Sequence, residues 1–204
     1  MKIVTLTLSP AVDIEYRAKD PVSGGLNRTY AHSLSAGGKG INVSRSVLKC
    51  AAAAPDGEQF PFELKTVAPV GGETGELLRR ILEKEGLSLT AVGIEENTRV
   101  NVSLIPDEGG SLEINAPGTP VGDRLPEIEK AVLDGIGPGD WVVIAGSCPK
   151  DVPKSYPSEL IAKVKEKGAR AALDCDGEAL RIAVNASVKP EQLNFLSMVK
   201  KLKK

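Results

Sequence analysis

The stretch Ala36-Gly37-Gly38-Lys39-Gly40-Ile41-Asn42-Val43-Ser44 decides how this chain is interpreted, because three glycines within four positions directly precede a segment with helical character. Glycine permits backbone angles and close approaches that a Cβ forbids. The start of the helix presents unpaired N–H groups and a partial positive charge to whatever lies in front of it. Lys39 adds a full charge on a mobile side chain. The stretch therefore predicts an anion-binding turn, although such turns also occur simply to reverse the chain.

Two common phosphate-binding motifs do not fit this spacing. The stretch lacks the G-x-x-x-x-G-K-[ST] pattern, and no G-x-G-x-x-G follows the first predicted strand. The glycine run is therefore neither a P-loop nor a dinucleotide-binding turn.

Length and composition indicate one α/β domain, residues 1–204, with 41% hydrophobic and 26% charged residues. The net charge of −1 argues against nucleic acid or an anionic membrane as a partner. Cys50, Cys148 and Cys175 lack C-x-x-C spacing, which argues against a disulfide framework or a zinc site and favours buried, small hydrophobic side chains. No membrane span or signal peptide is recognised, so a cytoplasmic location is expected.

Apolar runs alternate with helical patterns along most of the chain, which predicts a doubly wound, mostly parallel sheet. The predicted strands are Ile3–Leu8, Leu64–Val70, Trp141–Ala145 and Ala169–Leu173. The predicted helices lie around Asn42–Ala53, Thr74–Glu85, Leu125–Leu133, Ser158–Lys167 and Glu178–Ala183.

Two pairs of β segments have no helix between them and interrupt this alternation. They are Ile14–Ala18 with Thr29–Ala36, and Arg99–Ile105 with Ser111–Asn115. We expect them to form a small antiparallel sheet, a β lid made of the segments at about 14–36 and 99–115.

Ligands bind outside the carboxyl ends of the strands in an open parallel sheet, so the residues after each strand are candidates for a site. Asp13 is suited to accept hydrogen bonds from sugar hydroxyls, and Ser147 to donate one to a phosphate oxygen. Arg99 is suited to bind that phosphate with two N–H groups. These residues predict a phosphosugar pocket. Each also has an ordinary alternative, as a turn residue, a helix cap or a solvated strand charge.

A family resemblance rests on eight blocks that occur in order along the chain. They are Leu8-Ser9-Pro10-Ala11-Val12-Asp13, Leu26-Asn27-Arg28-Thr29, Gly37-Gly38-Lys39-Gly40-Ile41-Asn42-Val43-Ser44, Gly71-Gly72-Glu73-Thr74-Gly75, Asn97-Thr98-Arg99-Val100-Asn101, Glu113-Ile114-Asn115-Ala116-Pro117-Gly118, Gly146-Ser147-Cys148-Pro149 and Asp174-Cys175-Asp176-Gly177-Glu178-Ala179-Leu180. With these blocks the chain resembles the 1-phosphofructokinases and tagatose-6-phosphate kinases of the PfkB family, within the ribokinase-like superfamily.

The resemblance implies transfer of the ATP γ-phosphate to a phosphorylated ketose, such as fructose 1-phosphate, fructose 6-phosphate or tagatose 6-phosphate, with Mg²⁺ on the ATP phosphates. By the family pattern Asp13 holds sugar hydroxyls. The residues that would surround the sugar and its phosphate are Gly37, Gly38, Lys39, Asn42, Arg99, Asn101 and Ser147. Arg28 would belong to the β lid, which in relatives closes over the sugar and often forms a homodimer interface.

The resemblance fades near the end of the sequence, where the family places its ATP pocket. No Gly-Ala-Gly-Asp, the block that supplies the catalytic base, occurs in the sequence. The K-P-N-x-x-E block is represented only by Lys189-Pro190-Glu191-Gln192-Leu193-Asn194. In an alternative register, Phe195-Leu196 takes the place of the strand that precedes this block. Lys189 is the one candidate contact to ATP. We therefore expect a single truncated ribokinase-like domain, with an open sheet edge where further strands would pair.

Loss of a positioned base costs roughly 10²–10⁴ in rate, so weak or absent catalysis by this chain alone is expected. Asp174 or Asp176 could replace the base only if a nucleotide site existed beside it. Two functions therefore stay open: a phosphosugar kinase, and a non-catalytic protein that binds phosphosugars or a partner through its lid.

Overall fold

The chain is built around a six-stranded parallel sheet, seen in a computed structural model that describes residues 1–53 and 61–193. Its strands are β1 (Lys2–Leu6), β4 (Glu63–Val70), β5 (Leu89–Gly93), β8 (Trp141–Ala145), β9 (Arg170–Asp174) and β10 (Gln192–Leu193). Across the sheet their order is β10-β9-β8-β1-β4-β5.

Helices cover both faces of this sheet, as the alternating pattern predicts. They are α1 (Lys39–Ala52), α2 (Gly72–Lys84), α3 (Leu125–Leu133), α4 (Tyr156–Glu166) and α5 (Gly177–Asn185). A 3-10 helix, Gly122–Arg124, precedes α3. Leu6 points toward α3 and α4, whereas its neighbour Thr5 points toward α1. The doubly wound core is therefore confirmed.

A second sheet of four strands forms the lid beside this core. Its strands are β2 (Ala11–Ala18), β3 (Ala31–Gly37), β6 (Val100–Pro106) and β7 (Leu112–Asn115), in the order β3-β2-β6-β7. The two hairpin-like pairs are antiparallel, but β2 and β6 run parallel. The expectation of an entirely antiparallel lid is therefore wrong, and the lid is a mixed sheet.

Several element boundaries differ from the sequence prediction. Helix α1 begins at Lys39, three residues earlier than expected, so that Gly40 belongs to its first turn. Strand β5 was not predicted, and β10 contains only two residues, which lie within one of the two proposed versions of the Lys189 block. The alternative strand at Phe195-Leu196 lies outside the described residues.

Candidate functional site

The turn Gly37-Gly38-Lys39 lies in front of α1, where the backbone must come close to β1. Gly38 has a φ of 133°, a region that side-chain-bearing residues rarely adopt. A Cβ on Gly38 would lie 2.6 Å from Cγ2 of Thr7. Glycine is therefore required here by both backbone angle and space.

Thr7 supplies the cap that Gly38 cannot. Gly38 is the N-cap residue of α1 and has no side chain to accept a hydrogen bond. The N–H of Ile41 instead donates to Oγ1 of Thr7, at 2.9 Å, and this threonine is buried. The N–H groups of Lys39 and Gly40 precede that capped position at the front of the helix. The front of α1 is thus fixed to the end of β1 and suited to face an anion.

A chain of buried hydroxyl groups fixes the next turn of α1. Oγ of Ser44 lies 2.7 Å from Oγ1 of Thr5 on β1 and 2.8 Å from Oγ1 of Thr66 on β4. All three side chains are fully buried. Because hydrogen bonds are directional, this chain fixes how far α1 extends toward the turn in front of it.

We expect Ser44→Ala to lower the free energy of unfolding by about 1–3 kcal/mol, because two buried threonine hydroxyls would each lose a partner. Ser46→Ala is the matched control on the same helix. Its exposed hydroxyl donates only to the carbonyl of Asn42, so its effect should stay within about 0.5 kcal/mol. Urea denaturation measures the free energy of unfolding of both variants. Equal losses in Ser44→Ala and Ser46→Ala would contradict the role of the buried hydroxyl chain.

Two lid strands bring Asp13 and Asn101 together. They are register partners on β2 and β6, and Nδ2 of Asn101 donates to Oδ1 of Asp13 at 2.8 Å. Oδ1 of Asn101 accepts from the N–H of Ala116, which fixes the orientation of the amide. A Cβ on Gly37 would overlap the Asp13 carboxylate. The carboxylate therefore lies directly against the glycine turn at the front of α1.

The ends of β8 and β9 lie next to the same turn. Nζ of Lys39 is 3.5 Å from Oδ1 of Asp174, the last residue of β9. Gly146 follows β8 with a φ of 108°, and its N–H donates to the carbonyl of Asp174. A Cβ on Gly146 would lie 3.7 Å from Cβ of Lys39, so the turn that carries the exposed Ser147 lies beside Lys39.

Arg99 holds the base of the lid through backbone carbonyls. Its guanidinium donates to the carbonyls of Ser9 at 3.0 Å, Pro10 at 3.3 Å and Ala116 at 2.8 Å. Burial lowers the pKa of Arg99, an effect that the nearby Asp13 charge opposes. These three bonds leave two of its five N–H groups for another acceptor. Its contact with a sugar phosphate stays a prediction.

The chain is similar to known carbohydrate kinases over most of its length. Residues 7–189 match the family model described as pfkB family carbohydrate kinase. The chain belongs to the pfkB family of carbohydrate kinases. It is 36% identical over 181 residues to 1-phosphofructokinase of Bacillus subtilis, an alignment that covers 87% of this chain and 55% of that protein.

Solved structures show the same pfkB fold. Phosphofructokinase-2 from Escherichia coli in complex with fructose-6-phosphate has a TM-score of 0.79 and 30% identity, over 90% of this chain and 57% of that one. The tetrameric inhibited form of phosphofructokinase-2 from Escherichia coli has a TM-score of 0.78, with the same identity and coverage. The chain thus spans little more than half the length of these relatives.

Three of the candidate residues lie apart from the turn or point elsewhere. Arg28 is exposed in the loop between β2 and β3, and Lys189 is exposed between α5 and β10. Within residues 1–53 and 61–193, neither makes a hydrogen bond or ion pair with another candidate residue. Asn42 is exposed on the first turn of α1, and its Oδ1 accepts from Nη1 of Arg45. Their roles as sugar or ATP contacts stay predictions.

The two cysteines near the site are not activated thiols. Burial raises the pKa of Cys175 to about 12, and it also raises the pKa of Cys148. Because the thiolate is the reactive form, neither side chain is suited to nucleophilic chemistry at neutral pH. The prediction of buried, small hydrophobic cysteines fits Cys175, whereas Cys148 is half-buried and Cys50 is exposed.

The pfkB family implies ATP and a divalent cation. Across the part of the chain that the structure describes, no three His, Cys, Asp or Glu side chains are grouped so that they could hold a metal ion. At the site itself, the Asp174 carboxylate is paired with Lys39.

None of the described helices is long and apolar enough to cross a membrane.

Three threonines that the sequence did not single out, Thr5, Thr7 and Thr66, position the site through hydrogen bonds to α1. The available signal was the alternation Thr5-Leu6-Thr7 within an otherwise apolar strand. Alternation on a strand places the two threonines on the same face. Only the packing of α1 on that face shows which helix atoms they bind.

Proposed function

We propose that this chain binds the phosphorylated ketose acceptor of an ATP-dependent phosphosugar kinase. The supporting observation is the convergence of Asp13 and Asn101 over Gly37 at the start of α1. A carboxylate and an amide suit sugar hydroxyls, whereas the helix start and Lys39 suit a phosphate. The site therefore offers one set of groups to the sugar ring and another to its phosphate.

The proposed acceptors are fructose 1-phosphate, fructose 6-phosphate and tagatose 6-phosphate. Asp13 and Asn101 would orient the ring, and Lys39 would contact the phosphate, with Ser147 and Arg99 as further predicted donors. A melting curve of the purified chain with each compound at millimolar concentration tests the proposal. A rise with at least one of them supports it, and no rise with any contradicts it.

The proposed chemistry is transfer of the ATP γ-phosphate to a free hydroxyl of the bound ketose. The sequence contains no Gly-Ala-Gly-Asp base block. We therefore propose weak or absent transfer by these 204 residues alone. A transfer assay with labelled ATP and the best-binding ketose phosphate measures this directly.

A second proposed function is association of two copies through the lid. One lid face carries apolar side chains, because Leu34, Leu112 and Ile114 alternate with the polar residues that face the site. They are 44%, 57% and 58% exposed. Large exposed apolar patches mark interaction surfaces. The tetrameric form of the Escherichia coli relative makes a homodimer a reasonable proposal here.

We expect Ile114→Lys to convert the proposed dimer to monomer, because a charge on the apolar lid face would have to be buried in the interface. Glu113→Lys is the control, since Glu113 precedes Ile114 on β7 and points to the opposite face, toward Ser103. Sedimentation velocity measures the mass of each variant. A monomeric unmodified chain, or dissociation by both substitutions, would contradict the lid interface.

A further inference from the structure

The side chain of Arg45 is held between α1 and the end of α2. Its Nε and Nη2 donate to the two carboxylate oxygens of Glu85, at 2.7 and 3.0 Å. Two parallel bonds of this kind hold a guanidinium in one orientation. The side chains of Arg45 and Glu85 are 22% and 33% exposed, so the pair is partly shielded from water.

Glu85 is in turn fixed by the way in which α2 ends. It is the C-cap residue of that helix, and Gly86 follows it with a φ of 74°. The N–H of the buried Leu87 donates to the carbonyl of Leu82 at 2.9 Å, which closes the last turn. The partner of Arg45 is therefore attached to an ordered helix end, and the pair differs from surface ion pairs between two mobile side chains.

The other terminal nitrogen of Arg45 fixes the side-chain amide of Asn42. Nη1 of Arg45 donates to Oδ1 of Asn42 at 2.7 Å. Because a guanidinium carries donors only, the amide atom that faces it must be the oxygen. The Nδ2 group is then on the other arm of the amide, and no acceptor for it occurs within residues 1–53 and 61–193. Asn42 therefore offers N–H donors on the side away from Arg45.

Asn42 lies on the same cavity wall as Lys39. The two residues are three positions apart on α1, so their side chains are neighbours on the helix surface. Both line one cavity, together with Asp174. A donor group beside a lysine and a helix start suits a phosphate oxygen, which only accepts hydrogen bonds.

We propose that Arg45 is a positioning residue: held by Glu85, it turns the Asn42 amide so that Nδ2 donates to a phosphate oxygen of the bound ketose phosphate. This inference rests on the proposed function, because Asn42 would act on the same ligand as Lys39. Arg45 acts through Asn42 and does not touch the ligand. A mobile lysine attracts a phosphate in many orientations, whereas a fixed amide donor selects one of them.

Isothermal titration calorimetry with fructose 6-phosphate, or with whichever ketose phosphate binds best, tests the role of Arg45. Arg45→Met keeps the apolar stem of the side chain and removes the guanidinium. We expect the dissociation constant to rise about three- to tenfold, because a freely rotating amide turns its oxygen toward the phosphate part of the time. Glu85→Gln leaves α1 unchanged and should have a smaller effect in the same direction.

Lys163→Met is the matched control for the loss of an ion pair between two helices. Nζ of Lys163 on α4 donates to both carboxylate oxygens of Glu129 on α3, at 2.8 and 2.7 Å. This pair lies on the other face of the main sheet, away from Lys39. Its loss should leave the dissociation constant within about twofold of that of the unmodified chain.

A double-mutant cycle separates positioning from a purely structural role. Asn42→Ala should raise the dissociation constant about tenfold. Adding Arg45→Met to Asn42→Ala should cause no further change, because no amide is left to orient. A pair that only stabilised α1 would weaken binding by the same factor in both backgrounds. Additive effects of the two substitutions, or an unchanged affinity in Arg45→Met, would overturn the proposal.

NMR relaxation of the Asn42 side-chain amide tests the positioning in the absence of ligand. We expect the amide to be ordered in the unmodified chain and in Lys163→Met, and to become mobile in Arg45→Met and Glu85→Gln. The same spectra show that each variant is folded. An amide that is already mobile in the unmodified chain, or equally ordered in Arg45→Met, would contradict the positioning role.

The two measurements also separate this inference from the proposed function. If the unmodified chain binds no ketose phosphate but Arg45→Met releases the amide, the acceptor site and the phosphate contact of Asn42 are rejected, and the orientation by Arg45 is kept. If ketose phosphates bind equally well to the unmodified chain and to Arg45→Met, the acceptor site is kept and this inference is rejected.

Discussion

Asp13→Ala is expected to abolish the thermal stabilisation of this chain by fructose 6-phosphate, or by whichever ketose phosphate binds best. The Asp13 carboxylate accepts from Asn101 and leans over the glycine turn, so it is placed to bind sugar hydroxyls. Hydrogen bonds to a charged group contribute about 1.5–3 kcal/mol. The dissociation constant should therefore rise roughly 10- to 100-fold.

Glu15→Ala is the matched control for this substitution. Glu15 is a second carboxylate on β2, two residues farther along and on the same face, where it is paired with Arg17. Because it lies farther from the glycine turn, its removal should leave the sugar-phosphate dissociation constant within about twofold. Isothermal titration calorimetry measures the dissociation constant of each variant. An equal loss of affinity in the two variants, or no loss of affinity in Asp13→Ala, would show that Asp13 does not bind the sugar.

Gly40→Ala is expected to be the most destabilising single-methyl change in α1. Alanine would ordinarily favour a helix by up to about 1 kcal/mol over glycine. Here, however, the added Cβ would lie 2.5 Å from Oγ1 of Thr7 and 2.7 Å from the carbonyl oxygen of Leu6. The helix would have to move away from β1, since the second neighbour is backbone. We expect a net loss of about 2 kcal/mol in the free energy of unfolding.

Gly93→Ala is the control for added volume. Gly93 ends β5, and a Cβ there would have no atom within 4 Å. Its effect on unfolding should be small. The site provides a second readout, because a displaced α1 would also move Lys39 and weaken the binding of ketose phosphates. If Gly40→Ala is as stable as the parent chain, the close approach of α1 to β1 is wrong.

The sequence was informative where residue type and backbone conformation are locally linked. The glycine turn before α1 could be predicted because a positive φ and a close approach both exclude side chains. Asp13 and Asn101 could be selected individually from motif blocks. That they are register partners could not be predicted, because β3, α1, β4, α2 and β5 lie between their two strands along the chain.

The contacts of Arg99 could not be predicted from the sequence. The sequence indicates an arginine near a phosphate site, which is chemically reasonable. The structure adds three carbonyl acceptors from two distant segments, Ser9-Pro10 and Ala116. No local pattern reports such contacts, because any backbone carbonyl can accept from a guanidinium once the chain brings it close.

By itself the sequence determined the pfkB family, the doubly wound core and the glycine turn, since each depends on local periodicity or on blocks in a fixed order. Tertiary structure alone decided that β2 and β6 run parallel, that Thr7 caps α1, and that Arg45 lies between Glu85 and Asn42. The physical reason is the same in each case. Alternation shows which side of a strand is buried, but the direction of its partner and the atoms facing it are set by chain segments far away in sequence.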